Sequence, residues 1–94
     1  MTALMLAAEN GHTDTVNVLA GTHKADVEAV NVHGCTALME AAMNGHTATV
    51  NALAGTHGAD LEAVDEEGTT ALMLAAEYGH IATVAALRRH GATR

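Results

Sequence analysis

The sequence predicts an all-α repeat solenoid, in which short helix-turn-helix pairs stack in register. Three observations predict it. Thr2-Ala3-Leu4-Met5 returns as Thr36-Ala37-Leu38-Met39 and again as Thr70-Ala71-Leu72-Met73, each time after 34 residues. Within each unit, apolar residues recur at i, i+3 and i+4, the spacing of one helical face. A glycine then falls at the same offset, as Gly11, Gly45 and Gly79. Self-similarity at a fixed period of this length means stacked units, none of which buries its apolar face alone.

The second unit shows the logic of each element. Thr36 precedes the apolar run and suits an N-cap whose hydroxyl accepts a backbone N–H. Leu38, Ala41 and Ala42 form one face of a first helix, and their small size lets a neighbour approach closely. Gly45 ends that helix, because glycine adopts positive φ at little cost. Val50, Leu53 and Ala54 repeat the spacing on a second helix, which Gly55 is expected to stop. The stretch 55–69 carries Gly55, Gly58, Gly68 and several acids, and reads as turn and extended chain. The first unit matches through Leu4, Ala7, Ala8 and Gly11, then Val16, Leu19, Ala20 and Gly21. The third matches through Leu72, Ala75, Ala76 and Gly79, then Val84 and Leu87. Helices of two to three turns are unstable alone in water, so stability must come from stacking. The chain reads as a single domain over 1–94, with repeats of about 1–34, 35–68 and 69–94.

Composition narrows the function classes. Hydrophobic residues make up 49% of the chain, yet there is no Trp or Phe and Tyr78 is the only aromatic residue. The core must therefore be built from Ala, Val, Leu and Met. Four strong bases against eleven acids give a formal charge of −7, and three of those bases lie near the C-terminus. Without a basic stripe, neither nucleic acid nor an anionic membrane is an expected partner. Cys35 is the only cysteine, which excludes an intrachain disulfide and fits an intracellular setting, cytoplasmic or nuclear. No stretch has the length of a membrane span, and the apolar run 3–8 lacks the flanks of a signal peptide.

Two helical repeat families have periods near this one, tetratricopeptide repeats at about 34 residues and ankyrin repeats at about 33. The motifs favour the second. Thr36-Ala37-Leu38-Met39, with Ala41-Ala42 and Asn44-Gly45-His46, resembles the ankyrin pattern T-P-L-H-x-A-A followed by N-G-H. Ala25-Asp26-Val27-Glu28-Ala29 and Ala59-Asp60-Leu61-Glu62-Ala63 resemble its G-A-D-V-N-A segment. The first two units are one residue longer than the third near the end of the second helix, and an insertion in the turns 21–24 and 55–58 would account for the period. The chain thus resembles an ankyrin repeat protein of three tandem repeats, the first lacking its leading hairpin. That resemblance implies ankyrin-type stacked helix-turn-helix pairs joined by β-hairpin-like loops. The chain departs from the pattern where Ala3, Ala37 and Ala71 replace the usual Pro and where Met5, Met39 and Met73 replace the usual His. Thr13 and Thr47 also stand where an aliphatic residue is usual.

The resemblance further implies a protein-binding scaffold that uses a concave face of hairpin tips and first helices. The candidate contact residues are Val32, His33, Cys35, Glu66, Glu67 and Thr69 on the tips, together with Glu9, Asn10, Glu40, Met43, Asn44, Glu77 and Tyr78 on or just after first helices. Internal comparison agrees with this assignment. The first two repeats match at 24 of 34 positions, and four of the ten differences are the tip pairs Asn31/Asp65, Val32/Glu66, His33/Glu67 and Cys35/Thr69. Leu6/Glu40 and Glu9/Met43 add two more on the same face. Val32, Cys35 and Met43 beside Glu66, Glu67, Glu77 and Tyr78 predict a protein partner whose contacting segment has an apolar part and a basic part.

Sharper chemistry finds little support. His12, His46 and His80 recur one per layer, about 10 Å apart by helix-packing distance, too far to share a metal ion. His33 and Cys35 are close in sequence, but an exposed tip offers no third orienting group and no water-excluding pocket. Neither an enzyme nor a cofactor site is expected. The alternative to a binding module is a structural fragment of a longer ankyrin array with no partner of its own. The apolar terminal repeats would then seek cover, and self-association through uncapped ends would betray it.

Overall fold

The computed structural model describes residues 2–94. Six α-helices follow in pairs: α1 (Ala3–Glu9) with α2 (Thr13–Asn17), α3 (Ala37–Met43) with α4 (Thr47–Asn51), and α5 (Ala71–Glu77) with α6 (Ile81–Arg89). The first helices form one row, α1 against α3 and α3 against α5, and the second helices form another behind it. Each first helix starts as the sequence predicts. The hydroxyl oxygens of Thr2, Thr36 and Thr70 accept from the backbone N–H of Met5, Met39 and Met73 at 3.1, 3.3 and 3.3 Å. Such caps contribute about 1 kcal/mol each. The residue after each first helix is followed by Gly11, Gly45 or Gly79, all with φ between +71° and +76°.

The core lies between the rows. Leu4, Met5, Leu38, Met39, Leu53 and Leu87 are at most 2% exposed. Met5 and Met39 fill the space between successive repeats, whereas Met73, on the outer layer, is 41% exposed. Small residues do the close packing, with Ala8, Ala41, Ala42 and Ala75 fully buried.

Three sequence expectations are corrected. No β-strand is present among the described residues. The expected β-hairpin-like loops, and with them the fold class of hairpin-joined ankyrin-type pairs, give way to a compact all-α assembly. The physical reason lies in the loops. Asn31 and Asp65 each place Oδ1 on two backbone N–H groups of their own tip, at 2.8–3.0 Å. The backbone of this residue then closes only its own turn: Asn31 N donates to the Cys35 carbonyl and accepts at its own carbonyl from Gly34 N, and Asp65 does the same with Thr69 and Gly68, all at 3.0 Å. Bonds confined to a five-residue turn do not make a ladder.

Gly21 and Gly55 do not stop the second helices. The chain continues through them as π-helical segments, Val18–Thr22 and Ala52–Thr56. There the His23 and His57 N–H groups reach back five residues, to the carbonyls of Val18 and Ala52 at 3.0 Å. In the third repeat the equivalent His90 N–H reaches back four, to Ala86 at 3.1 Å. The additional residue of the first two repeats is therefore absorbed inside the helix as a π turn, not in the following turn.

The residue that closes each second helix occupies the left-handed region: Lys24 at φ 54°, Gly58 at 63° and Gly91 at 108°. Lys24 alone among them carries a side chain, against a steric cost of about 1 kcal/mol. Lys24→Gly should raise the melting midpoint by about 2–5 °C, read by thermal circular dichroism. A lower midpoint would show that the Lys24 side chain contributes more than its backbone costs.

Candidate functional site

Where the two tips meet the first helices, the surface holds a groove of about 240 Å³. The tips supply Asn31, His33 and Cys35 from one repeat and Asp65, Glu66 and Glu67 from the next. Helix α3 supplies Glu40 and Met43, α5 supplies Leu74, and Tyr78 follows α5 directly. The tips are joined to each other. Glu66 N donates to the His33 carbonyl at 3.1 Å, and the His33 ring lies 3.5 Å from the Glu66 carboxylate, both side chains exposed. Gly34 makes this approach feasible, since a Cβ there would sit 3.0 Å from Glu66 N.

Glu40 is the most informative residue of the groove. It is 6% exposed, and its repeat-mates Leu6 and Leu74 are apolar. A carboxylate stands where the repeat otherwise places leucine. Burial pushes its pKa above the usual carboxylate range, and the negative charge of Glu9 adds to that; an N–H donated by Asn31 Nδ2 to Oε1 at 3.1 Å and the neighbouring His33 oppose it. A raised folded-state value means that Glu40 is tolerated best when protonated. Its contribution to stability is full below the ordinary Glu range, about 4.3, and is lost as pH rises through the folded value. Glu40→Gln should therefore raise the melting midpoint at pH 7 and leave it unchanged below pH 4. An equal effect at both pH values would contradict this account of Glu40.

The candidate contact residues divide between the groove and its surroundings. His33, Cys35, Glu40, Met43, Glu66, Glu67 and Tyr78 line it. Val32 stands free on its tip, 87% exposed. Asn10 and Asn44 turn back to their own helices, donating through Nδ2 to the carbonyls of Leu6 and Glu40 at 2.9 and 2.8 Å. Thr69 gives its N–H to Asp65. Glu9 offers its carbonyl to His46 Nε2 at 2.9 Å, and Glu77 lies exposed at the end of α5. Asn31 and Asp65 also line the groove, although they are not among the sequence candidates; an Asx residue three before a glycine, as in Asn31-Val32-His33-Gly34, is the turn signature that places them there.

Cys35 is not the exposed tip thiol expected. It is 8% exposed, and burial raises its pKa, with the carboxylates of Glu40, Asp65, Glu66 and Glu67 acting in the same direction. A nucleophilic cysteine needs the opposite environment, one that favours the thiolate. No group of His, Cys, Asp and Glu that could hold a metal ion is found among the described residues.

A family model described as "Ankyrin repeats (3 copies)" matches residues 4–93, and the chain belongs to the ankyrin repeat family. A solved structure described as "Bd0816 Predatory Endopeptidase from Bdellovibrio bacteriovorus in complex with immunity protein Bd3460" contains a chain 33% identical to this one, with a TM-score of 0.90. The similarity covers 99% of this chain and 48% of that chain, so this chain spans about half the length of the one it matches. No match was found among curated proteins. The resemblance read from sequence is corrected in its form. The hairpin-bearing ankyrin protein gives way to an all-α domain with Asx-closed tips, similar to one chain of an endopeptidase–immunity protein complex. Family membership rests on the match over residues 4–93 and not on hairpins.

Proposed function

We propose that this domain is a protein-binding module and that the groove between the tips and the first helices receives an extended partner segment with an apolar part and a basic part. The observation that carries this reading is Glu40. A buried carboxylate at a leucine position lowers stability at neutral pH, the kind of local cost that functional sites retain. Glu66, Glu67 and Asp65 around it would recognise a lysine or arginine. Met43, Leu74 and the exposed ring of Tyr78 would hold the apolar part, Tyr being favoured among residues that dominate binding energy. The solved structure that this chain resembles is a complex of an endopeptidase with an immunity protein, which supports a role in protein partnership.

Selection of a displayed random-peptide library against the immobilised chain tests the reading. Recovered peptides are expected to share one or two basic residues beside a short apolar run, and to lose binding to the Tyr78→Ala chain. Recovery of peptides without basic enrichment, bound equally by both chains, would contradict it.

A further inference from the structure

Glu40 stands in the middle of a row whose other members are leucine. Leu6 and Leu74 hold the same place on α1 and α5. Glu40 is 6% exposed, and its carboxylate oxygens are used unequally. Oε1 accepts from Asn31 Nδ2 at 3.1 Å. Oε2 receives no hydrogen bond from the described residues, yet it is not sealed away from the surface. Glu40 lines the groove, and Oε2 is its open side.

A buried carboxylate needs a counter-charge or a proton. The described part of the chain supplies no counter-charge. None of Lys24, Arg88, Arg89 and Arg94 lines the groove. The ion pairs among the described residues, His33 with Glu66 and Arg94 with Glu62, leave Glu40 out. The rest of the groove suits a long cationic side chain. Asp65, Glu66 and Glu67 make its wall negative. Met43 and Leu74 offer apolar surface to an aliphatic stem, and the Tyr78 ring offers its face to a charged head.

We infer that Glu40 Oε2 is the seat of one lysine or arginine side chain of the partner, the point at which the groove selects a cation over an apolar residue. The inference rests on the reading of the groove as a peptide-binding surface, and it has a consequence for pH. Burial and the charge of Glu9 favour the protonated carboxyl in the free chain. An entering cation favours the carboxylate, so the Glu40 proton leaves to solvent as the cation–carboxylate pair forms. Affinity therefore rises with pH between the bound-state and free-state values of Glu40, and is flat above the free-state one. Other titratable groups face Glu40: Glu9 from α1, His33 and Cys35 from the tip of its own repeat, Asp65, Glu66 and Glu67 from the next tip, and Tyr78 after α5. Helix α4 and the π-helical segment after it carry none, and Glu77, exposed at the end of α5, does not line the groove. Because several of these titrate as well, the test follows the Glu40 carboxyl itself.

The probes are a basic–apolar peptide selected from the displayed library and the same peptide with norleucine in place of its basic residue. The carboxyl carbon of Glu40 is titrated by NMR in the free chain and in each complex. The basic peptide should lower the Glu40 midpoint by about one pH unit or more, equivalent to about a tenfold gain in affinity across that window. The norleucine peptide should leave the midpoint at or above its free-state position. Glu40→Gln should weaken the basic peptide about tenfold at pH 7 and leave the norleucine peptide nearly unaffected. That variant is expected to be the more stable chain at pH 7, so weaker binding cannot come from unfolding. His33→Gln should leave the peptide-induced movement of Glu40 in place; its loss would trace the coupling to His33 and overturn the assignment. A basic peptide that depends on Tyr78, leaves the Glu40 midpoint unmoved and binds the Glu40→Gln chain as tightly as the parent would overturn this inference alone. Peptides without basic enrichment, bound equally by the Tyr78→Ala chain, would overturn the reading of the groove and this inference with it.

Discussion

Gly45→Ala should destabilise this protein by about 2–3 kcal/mol, and the chemically identical change Gly79→Ala by only about 1 kcal/mol. Both glycines hold a left-handed backbone, φ +72° and +76°, so the conformational cost of a Cβ is common to them. Their surroundings differ. A Cβ on Gly45 would sit 2.6 Å from Nδ1 of His80, whereas one on Gly79 would meet nothing within 4 Å. The His80 ring lies flat on Gly45 while its Nε2 bonds to the Met43 carbonyl at 2.9 Å. Pushing the ring away breaks that bond, so the second cost is the loss of the joint between repeats. Equilibrium urea unfolding of the two variants measures the difference directly. Equal destabilisation would mean that the histidine contributes nothing to the stacking.

Reversing both Glu66 and Glu67 to Lys should weaken a selected basic–apolar peptide about tenfold or more at low salt, with a smaller loss at high salt. Both residues line the groove and are exposed, so they act through the field at its mouth. Exposed charges of this kind set association rate and salt dependence more than the buried contact. Stability should change little, because neither side chain is buried. Titration of the peptide at two ionic strengths reads the effect. An affinity unchanged by the reversal at low salt would remove the acidic rim from the recognition mechanism.

Much of this architecture was legible because repetition multiplies weak signals. One Thr before an apolar run is a modest hint of a helix start. The same residue at positions 2, 36 and 70, followed each time by Ala-Leu-Met, is a strong one, and the hydroxyl of each Thr does cap its helix. Gly11, Gly45 and Gly79 were equally readable, because a recurrent glycine marks recurrent positive φ. The π turns were not. The sequence shows one additional residue in two repeats, but whether a helix bulges or a turn lengthens depends on which keeps Leu19 and Leu53 packed inward, and that is a tertiary matter. The burial of Cys35 was hidden for a similar reason. It ends a tip, yet the loop closes on Asn31 and draws the thiol into the groove floor. Glu40 was readable in part: its departure from Leu6 and Leu74 marked it as a surface difference, whereas the structure buries it. The mistaken hairpins came from the family resemblance, which implied β-hairpin-like loops where the residues themselves read only as turn and extended chain; in the structure Asn31 and Asp65 take up the tip N–H groups through their side chains.

The central claim is that the groove, and not the outer row of second helices, is the contact surface. Backbone amide chemical-shift mapping of the labelled chain on addition of a selected peptide tests it most directly. The account predicts perturbations at Asn31, Cys35, Glu40, Met43, Glu66, Glu67 and Tyr78, with the amides of α2, α4 and α6 nearly silent. Perturbations centred on those second helices, with the groove silent, would contradict it.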